Sequence, residues 1–291
     1  MTNLVPWILA ARPKTLLAGF CPVAIGSALA WRSEGFHLLA ASAALFGAIC
    51  IQIGTNFCND YCDFFQGADT EDRKGPTRAV QAGLVTPTQM LAATILMFGL
   101  AAAATSYLVY LAGWGLLLIG AVSILFGVLY TAGRYSLAYL GLGDLFVLIF
   151  FGPVAVAGTY YVQTLNVTSD VIVAGFAPGL LAVGLLVVNN LRDIDEDRSA
   201  NKRTLAVRFG KAFVRSEYTL CVLAAACVPA ALFLAWNYSA SVLLGCLVVV
   251  PGSLLAWQVW RTDGERLNPY LGKTAASLLL YTLLFCVGCV L

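Results

Sequence analysis

The chain of 291 residues is 60% hydrophobic and only 11% charged, with a formal net charge of +2 and a mean hydropathy of +0.84. About a quarter of a soluble domain is charged, so 17 basic and 15 acidic side chains cannot cover the surface of such a chain in water. The same figures exclude a disordered polymer, which lacks apolar surface, and a nucleic-acid binder, which needs a broad basic face. Seven of the nine cysteines (Cys21, Cys50, Cys221, Cys227, Cys246, Cys286 and Cys289) lie in apolar runs, where a thiol packs as a small hydrophobe rather than as part of a disulfide framework. This is the composition of an integral membrane protein.

A bilayer span needs roughly 20 mostly apolar residues. Runs of that kind predict helices near residues 15–31, 38–58, 89–111, 113–132, 141–163, 171–190, 216–236, 240–260 and 271–291. The first follows Arg12-Pro13-Lys14 as a signal peptide would, but eight further spans make it a retained helix. Residues 1–291 therefore read as a single all-α transmembrane domain of about nine helices. All basic residues except Arg32 fall at the N-terminus, in the loops near 59–88, 133–140, 191–215 and 261–270, or at Lys273 on the last boundary. An excess of Lys and Arg marks the cytoplasmic side, so these loops are expected in the cytoplasm of a cell with the chain in its inner or plasma membrane.

The acids gather on the same face. Eleven of the 15 lie in three of these loops: Asp60, Asp63, Asp69, Glu71 and Asp72; Asp193, Asp195, Glu196 and Asp197; Asp263 and Glu265. Topology alone does not call for carboxylates packed until they repel one another, so a positive ligand is expected there. In the first station Asn56, Asn59, Asp60 and Asp63 are spaced i, i+3, i+4, i+7, which is one face of a helix. Gly67 is placed to end that helix, so Asp69 and Asp72 can turn back toward the same point. In the second station Asn189, Asp193 and Asp197 are spaced by four and share a face if the helix continues. Each station runs into a basic stretch, Arg73-Lys74 to Thr77-Arg78-Ala79-Val80 and Arg198 to Lys202-Arg203-Thr204-Leu205-Ala206-Val207, which suggests an internal pseudo-repeat facing one cavity.

Carboxylate and amide oxygens suit hard cations, and Mg²⁺ commonly takes one or two carboxylates while substrate phosphates complete its shell. Asn59, Asp63, Asp69, Asp72, Asp193 and Asp197 are the expected metal residues, and Arg73, Lys74, Arg78, Arg192, Lys202 and Arg203 the expected partners of a diphosphate. A solvated charged loop explains either station alone, but not two with matching Asn and Asp spacing. Zinc at Cys58 and Cys62 has no second Cys/His pair to complete it. His37, the one histidine, falls on the uncharged face and reads as a loop residue.

These motifs resemble the UbiA superfamily of intramembrane aromatic prenyltransferases, whose hallmarks are two Asp-rich motifs, here Asn59-Asp60-x-x-Asp63 with Asp69 and Asp72, and Asp193-x-x-x-Asp197. Ala11 to Leu16, Gly67 to Gly83, Gly141 to Asp144 with Phe150 to Pro153, and Asn268 to Thr274 resemble the MenA branch, the 1,4-dihydroxy-2-naphthoate polyprenyltransferases. The resemblance implies nine helices around a central cavity with cytosolic Asp-rich loops. It also implies a reaction: an Mg²⁺-bound polyprenyl diphosphate ionises to an allylic cation, the dihydroxynaphthoate ring attacks it, and CO₂ leaves, giving demethylmenaquinone. Within it Asp60, Asp63 and Asp193 are the expected catalytic groups, with Asp60 placed to orient or deprotonate an acceptor hydroxyl. Arg12 and Lys14 are expected to hold the acceptor carboxylate, beside Asn56, Tyr130 and Asn189. Tyr130, Tyr160 and Tyr161 are candidates to face the cation.

The implied partners are the polyprenyl diphosphate, the naphthoate and the bilayer; nothing in the sequence calls for nucleic acid or an obligatory protein partner. A sibling enzyme using a phytyl donor, 4-hydroxybenzoate or homogentisate stays open. So does a transporter, although transporters place ionisable groups near the bilayer midplane and the span middles here are almost free of charge. The Asp signature of a CDP-alcohol phosphotransferase is missing from both loops.

Overall fold

Lipid offers no hydrogen bonds, so an apolar run must close its own N–H and C=O groups in a helix. The computed structural model describes residues 4–67, 74–133 and 136–291. Within them the chain forms α1 (Val5–Ala11), α2 (Pro13–Arg32), α3 (Leu38–Gln66), α4 (Pro87–Ala112), α5 (Gly115–Leu129), α6 (Gly143–Thr164), α7 (Ser169–Arg192), α8 (Ile194–Ser199), α9 (Leu205–Trp236), α10 (Ala240–Trp260) and α11 (Gly264–Val290). Among the described residues eight of these are long and apolar enough to cross a membrane. The ninth expected span is α5, which at 15 residues covers only about 22 Å. The protein is a multi-pass, all-α membrane protein.

Two features escape a reading by hydropathy. The expected first span is preceded by the short α1, and the chain turns between α1 and α2 at Arg12, whose φ of 52° is left-handed. Pro13 then opens α2 at a position where its missing N–H costs nothing. Helix α3 also runs well past its expected end, to a left-handed Gly67 with φ 65°. Asn56, Asn59, Asp60 and Asp63 of the first station therefore all ride on α3.

Packing is layered around α7, in which 16 of 24 residues are buried, against 5 of 26 in α4. The main core joins α2, α6, α7, α9, α10 and α11 through fully buried Leu29, Leu181, Tyr218, Leu232, Leu278, Tyr281 and Phe285. Helices α4 and α5 turn Ile95, Leu96, Tyr110, Trp114 and Leu118 outward, as lipid-facing spans do. Helix α6 breaks at Gly152-Pro153 in a π-helical turn, with Gly152 at φ −113° and ψ −114°. The break brings α6 against α7 backbone to backbone: a Cβ added at Gly179 would stand 2.5 Å from the Leu148 carbonyl oxygen. Small residues commonly permit such approaches between membrane helices.

Contacts between loops place the ends of the helices. Asn56 reaches the end of α1, Thr131 after α5 reaches α3, Arg208 reaches the loop before α6, and Arg192 reaches the start of α11. The two acidic stations thus lie at one end of the bundle. Arg32, the exception to the charge asymmetry, lies at the other end with its guanidinium 3.7 Å above the Tyr238 ring, whose hydroxyl donates to Asp170 at 2.6 Å.

Gly179→Val forces the α6–α7 contact apart and is expected to cost at least about 1–3 kcal/mol, the usual penalty of overpacking. Thermal melting in detergent should show a clear fall for it and none for Gly99→Ala, since a Cβ at Gly99 meets nothing within 4 Å.

Candidate active site

Helix α3 presents Gln52, Asn56, Asn59 and Asp63 in successive turns. The Asn56 amide donates to the Ala11 carbonyl at 2.9 Å and to Thr15 Oγ1 at 3.2 Å, tying the Arg12 turn to α3. Asn59 Oδ1 accepts from the Thr131 hydroxyl at 2.5 Å, and Gln66 donates to the Thr131 carbonyl at 2.9 Å. Asp63 receives Arg78 Nη2 at 2.8 Å, with both side chains buried. Asp60, expected at the acceptor, is only 1% exposed and is otherwise engaged: its oxygens accept the backbone N–H groups of Ala79 and Val80 at 3.0 and 3.1 Å. In this structure Asp60 holds the segment that carries Arg78. Residues Asp69, Asp72 and Arg73 lie outside the described residues.

The second station is built the same way from α7 and α8. Backbone bonds from Asp193 N to Asn189 O (3.0 Å) and from Asp197 N to Asp193 O (2.8 Å) carry the helical spacing across the junction, so the three side chains share a face. Arg192 grips Asp193 with two bonds, Nε to Oδ1 at 2.6 Å and Nη2 to Oδ2 at 2.7 Å. Lys202 folds back onto Asp197 at 3.2 Å, and Thr204 Oγ1 donates to the same carboxylate at 3.5 Å. Arg203 is exposed, and its backbone anchors the loop before α6 through Tyr139 and Arg208. Lys74 pairs with the largely exposed Asp195 at 3.1 Å, a rim contact of small energy.

The electrostatics show that the stations meet. Burial depresses the Lys202 ammonium, but Asp197, then Asp63, and also Asp193 outweigh it and hold its pKa above the usual lysine value. One cation thus feels carboxylates from both stations. With a raised folded-state pKa, its stabilising contribution is complete below the ordinary lysine value and is lost only as pH rises through the elevated one.

Below this acidic rim opens a cavity of about 330 Å³, bounded by α2 to α7. Arg12, Thr15, Gln52, Asn56, Asn59, Tyr130 and Asn189 make its polar lining; Leu108, Leu116, Phe126, Phe146, Phe150 and Leu185 are among its apolar walls. Phe126 packs against Phe146 and Phe150 with centroids 4.6 and 5.3 Å apart. Such a cavity, mostly apolar with a few converging polar groups, is the usual form of a small-molecule site.

Four of the five residues expected at the acceptor line it: Arg12, Asn56, Tyr130 and Asn189. Lys14 does not, because the turn at Arg12 sends its side chain along Gly272 of α11. Tyr160 and Tyr161 are also corrected. Their hydroxyls bind Ser33 and the Ala112 carbonyl at 3.0 Å each, at the far ends of α2 and α4. They follow Gly143 by 17 and 18 residues, roughly 25 Å along the helix. The sequence reading missed Thr131 and Asn268, whose partners are 72 to 194 residues away. It also gave no role to Asp144, which is 7% exposed at the start of α6, next in sequence to Gly143 that faces the Tyr130 hydroxyl, with an Oδ1 that has no hydrogen-bond partner among the described residues.

A helical bundle with an acid-rimmed, largely apolar cavity at one end defines an intramembrane enzyme for a ligand with an anionic head and an apolar body. Residues 20–289 match the UbiA prenyltransferase family, and the chain belongs to that family. It is 38% identical to the 1,4-dihydroxy-2-naphthoate octaprenyltransferase of Escherichia coli (strain K12), over 97% of this chain and 94% of the relative. It is equally similar, at 38%, to the protein of the same name from Mycobacterium tuberculosis (strain ATCC 25618 / H37Rv), over 97% and 96%. A UbiA homologue from Archaeoglobus fulgidus, solved bound to GPP and Mg²⁺, shares the fold with a TM-score of 0.68 at 17% identity, over 98% of this chain and 99% of that one.

Asp60→Ala strands two buried backbone N–H groups and is expected to lower folding stability by roughly 2–4 kcal/mol, read as thermal melting in detergent. Asp60→Asn keeps one acceptor oxygen and should fall less. Full stability with complete loss of turnover in Asp60→Asn would instead place the carboxylate on a substrate.

Proposed function

We propose that this protein transfers a polyprenyl group from polyprenyl diphosphate to 1,4-dihydroxy-2-naphthoate, releasing diphosphate and CO₂ and forming the demethylmenaquinone skeleton as its hydroquinone. The observation that carries the reading is that both acidic stations lie at one end of the bundle, tied together by Lys74 through Asp195 and Glu196, with their Asn59 and Asn189 lining a largely apolar cavity. The names of full-length relatives supply the acceptor and the polyprenyl donor. The positive-inside rule puts this end of the bundle in the cytoplasm, with the chain in the inner or plasma membrane.

The donor set suits Mg²⁺: Asp63, Asp193, Asp197 and Asn59 offer hard oxygens only, joined by Asp69 and Asp72 from the segment outside the described residues. Among the described residues no three acidic, Cys or His side chains are grouped closely enough to hold an ion by themselves, so a metal here would need ligand oxygens to complete its shell. Bound there, Mg²⁺ neutralises the departing diphosphate. Arg78 and Arg192 keep the carboxylates of Asp63 and Asp193 aimed, and diphosphate oxygens offer the same guanidiniums a second acceptor. Lys202, Lys74 and Arg203 complete the cationic rim among the described residues.

Breaking the allylic C–O bond leaves a cation that water would trap, and the apolar walls below the rim keep water away. Tyr130 and the Phe126–Phe146–Phe150 cluster present ring faces and edges there. The acceptor is held by its carboxylate at Arg12, with Asn56 and Asn189 for its hydroxyls. Its ring carbon that bears the carboxylate forms the new C–C bond, and the bond to CO₂ then breaks and returns its electron pair to the ring. The electrophile that leaves is CO₂ and not a proton, so the substitution itself needs no base.

Membranes containing the chain, given labelled polyprenyl diphosphate, should prenylate the naphthoate with equal release of CO₂, and a chelator should stop the reaction. Asp63→Ala and Asp193→Ala should each lose roughly 10²–10³-fold in turnover or more, the scale for removing one group that stabilises developing charge, with insertion unchanged. Normal activity in either variant would remove the metal-site assignment. Product only from 4-hydroxybenzoate or homogentisate would overturn the acceptor, and no product from any acceptor would reopen a transport role. Arg12→Gln should raise KM for the naphthoate about 10–100-fold, the worth of a charge-assisted hydrogen bond, and leave KM for the diphosphate alone.

A further inference from the structure

We propose that Asn268 is a positioning residue that couples the two acidic stations, so that the metal and diphosphate site forms as one unit; the proposal rests on the prenyl-transfer reading above. Asn268 belongs to neither station. It sits where the short turn Gly264–Leu267 enters α11, anchored by the fully buried Leu267 before it and by Pro269 after it. Its single amide is used in both directions. Oδ1 accepts Nη1 of Arg192 at 3.0 Å, and Nδ2 donates to the Lys74 carbonyl at 3.0 Å.

Each of these contacts leads to a carboxylate. On one side Arg192 is only 3% exposed, and its other donors hold both oxygens of Asp193. With Asn268 on Nη1, the guanidinium plane is fixed at three of its corners, and so is the carboxylate it grips. On the other side Lys74 opens the segment that supplies Arg78 to Asp63 and the N–H groups of Ala79 and Val80 to Asp60. The same segment is also tied to the second station by Lys74 N donating to Glu196 Oε1 at 2.8 Å. Asn268 therefore lies on a bonded path from Asp193 to the partners of Asp63: carboxylate, guanidinium, amide, main chain.

The chemistry of the amide is specific to this position. An acceptor is needed for a guanidinium and a donor for a carbonyl, and only a side chain with both can serve. Leucine supplies neither. A carboxylate supplies the acceptor alone and would also compete with Asp193 for Arg192. The contact to position 74 is made to the main chain, so it does not depend on the lysine side chain there.

The test uses the purified full-length chain in detergent with Asn268→Leu, Asn268→Gln and Arg192→Met. Two Mg²⁺ titrations are run: initial rates of prenylation at saturating donor and acceptor, and calorimetric binding of inorganic pyrophosphate, which requires no turnover. Asn268→Leu is expected to raise the Mg²⁺ concentration at half-effect about tenfold in both, the worth of one hydrogen bond to a charged group. Its rate at saturating Mg²⁺ should fall less than about threefold, under half of that same free energy, and KM for the naphthoate should not move. Asn268→Gln, which keeps donor and acceptor on one amide, should recover most of the shift. The double variant Asn268→Leu with Arg192→Met should be no worse than Arg192→Met alone, since residues acting through one another are not additive. Unchanged Mg²⁺ dependence with a uniform loss of rate, or full additivity with Arg192→Met, overturns the proposal. If the parent chain binds pyrophosphate with Mg²⁺ yet prenylates nothing, the prenyl-transfer reading fails while the binding arm still decides the coupling.

Discussion

The structure depends on how carboxylates are given partners at the ends of membrane helices. A lone charge in so poorly polar a setting costs several kcal/mol unless it is met by an opposite charge or by N–H groups. Each described acid of the inner rim is met from the segment that follows its own helix: Asp63 by Arg78, Asp60 by the amides of Ala79 and Val80, and Asp197 by Lys202. Asp193 is met by its neighbour Arg192. These pairings fold the loops back over the helix ends. Remove the acids and nothing would require the polar loops to cover that end of the bundle.

This arrangement suits a ligand with a double negative head. Pairs between acids and bases leave the rim close to neutral, so the acids are neither flooded by cations nor free to repel each other. Under the proposed function, a metal–diphosphate unit would carry both signs: Asp63, Asp193 and Asp197 would hold the metal, and Arg78, Arg192 and Lys202 would take phosphate charge. The raised Lys202 pKa reports the same balance, since its charge is stabilised by acids from two stations.

Much of this was legible in the chain itself, and the reasons are local. Runs of apolar residues show their length, and spacing by three and four shows a helical face; both the spans and the stations depend on nothing else. What stayed hidden depends on contacts distant in sequence or on backbone geometry. The left-handed turn at Arg12 decides that Arg12 enters the cavity while Lys14 lies on α11, and no hydropathy pattern separates two cations two residues apart. The end of α3, by contrast, was legible, since the Asn and Asp spacing carried the helix past residue 58 and Gly67 marked its cap. Tyr160 and Tyr161 looked available because aromatic residues in a span carry no mark of depth; distance along α6 puts them at the wrong end.

The occupation of Asp60 bears on the chemistry. In most aromatic substitutions a base must take the ring proton, and a buried carboxylate on the active face looks like that base. In the proposed reaction the group that departs from the ring is CO₂, whose bond to the ring supplies the electron pair that restores aromaticity. A site for this reaction has to orient the acceptor, exclude water and hold the diphosphate, and it can use its most buried acid as a structural anchor. Asp60, with both oxygens on backbone amides, is such an anchor, and it holds the segment that carries Arg78 to Asp63. An acceptor that loses a proton instead would need a free base at the polar end of the cavity. The described carboxylate nearest to that requirement is Asp144, buried next in sequence to Gly143 that faces the Tyr130 hydroxyl, with one oxygen unpartnered among the described residues.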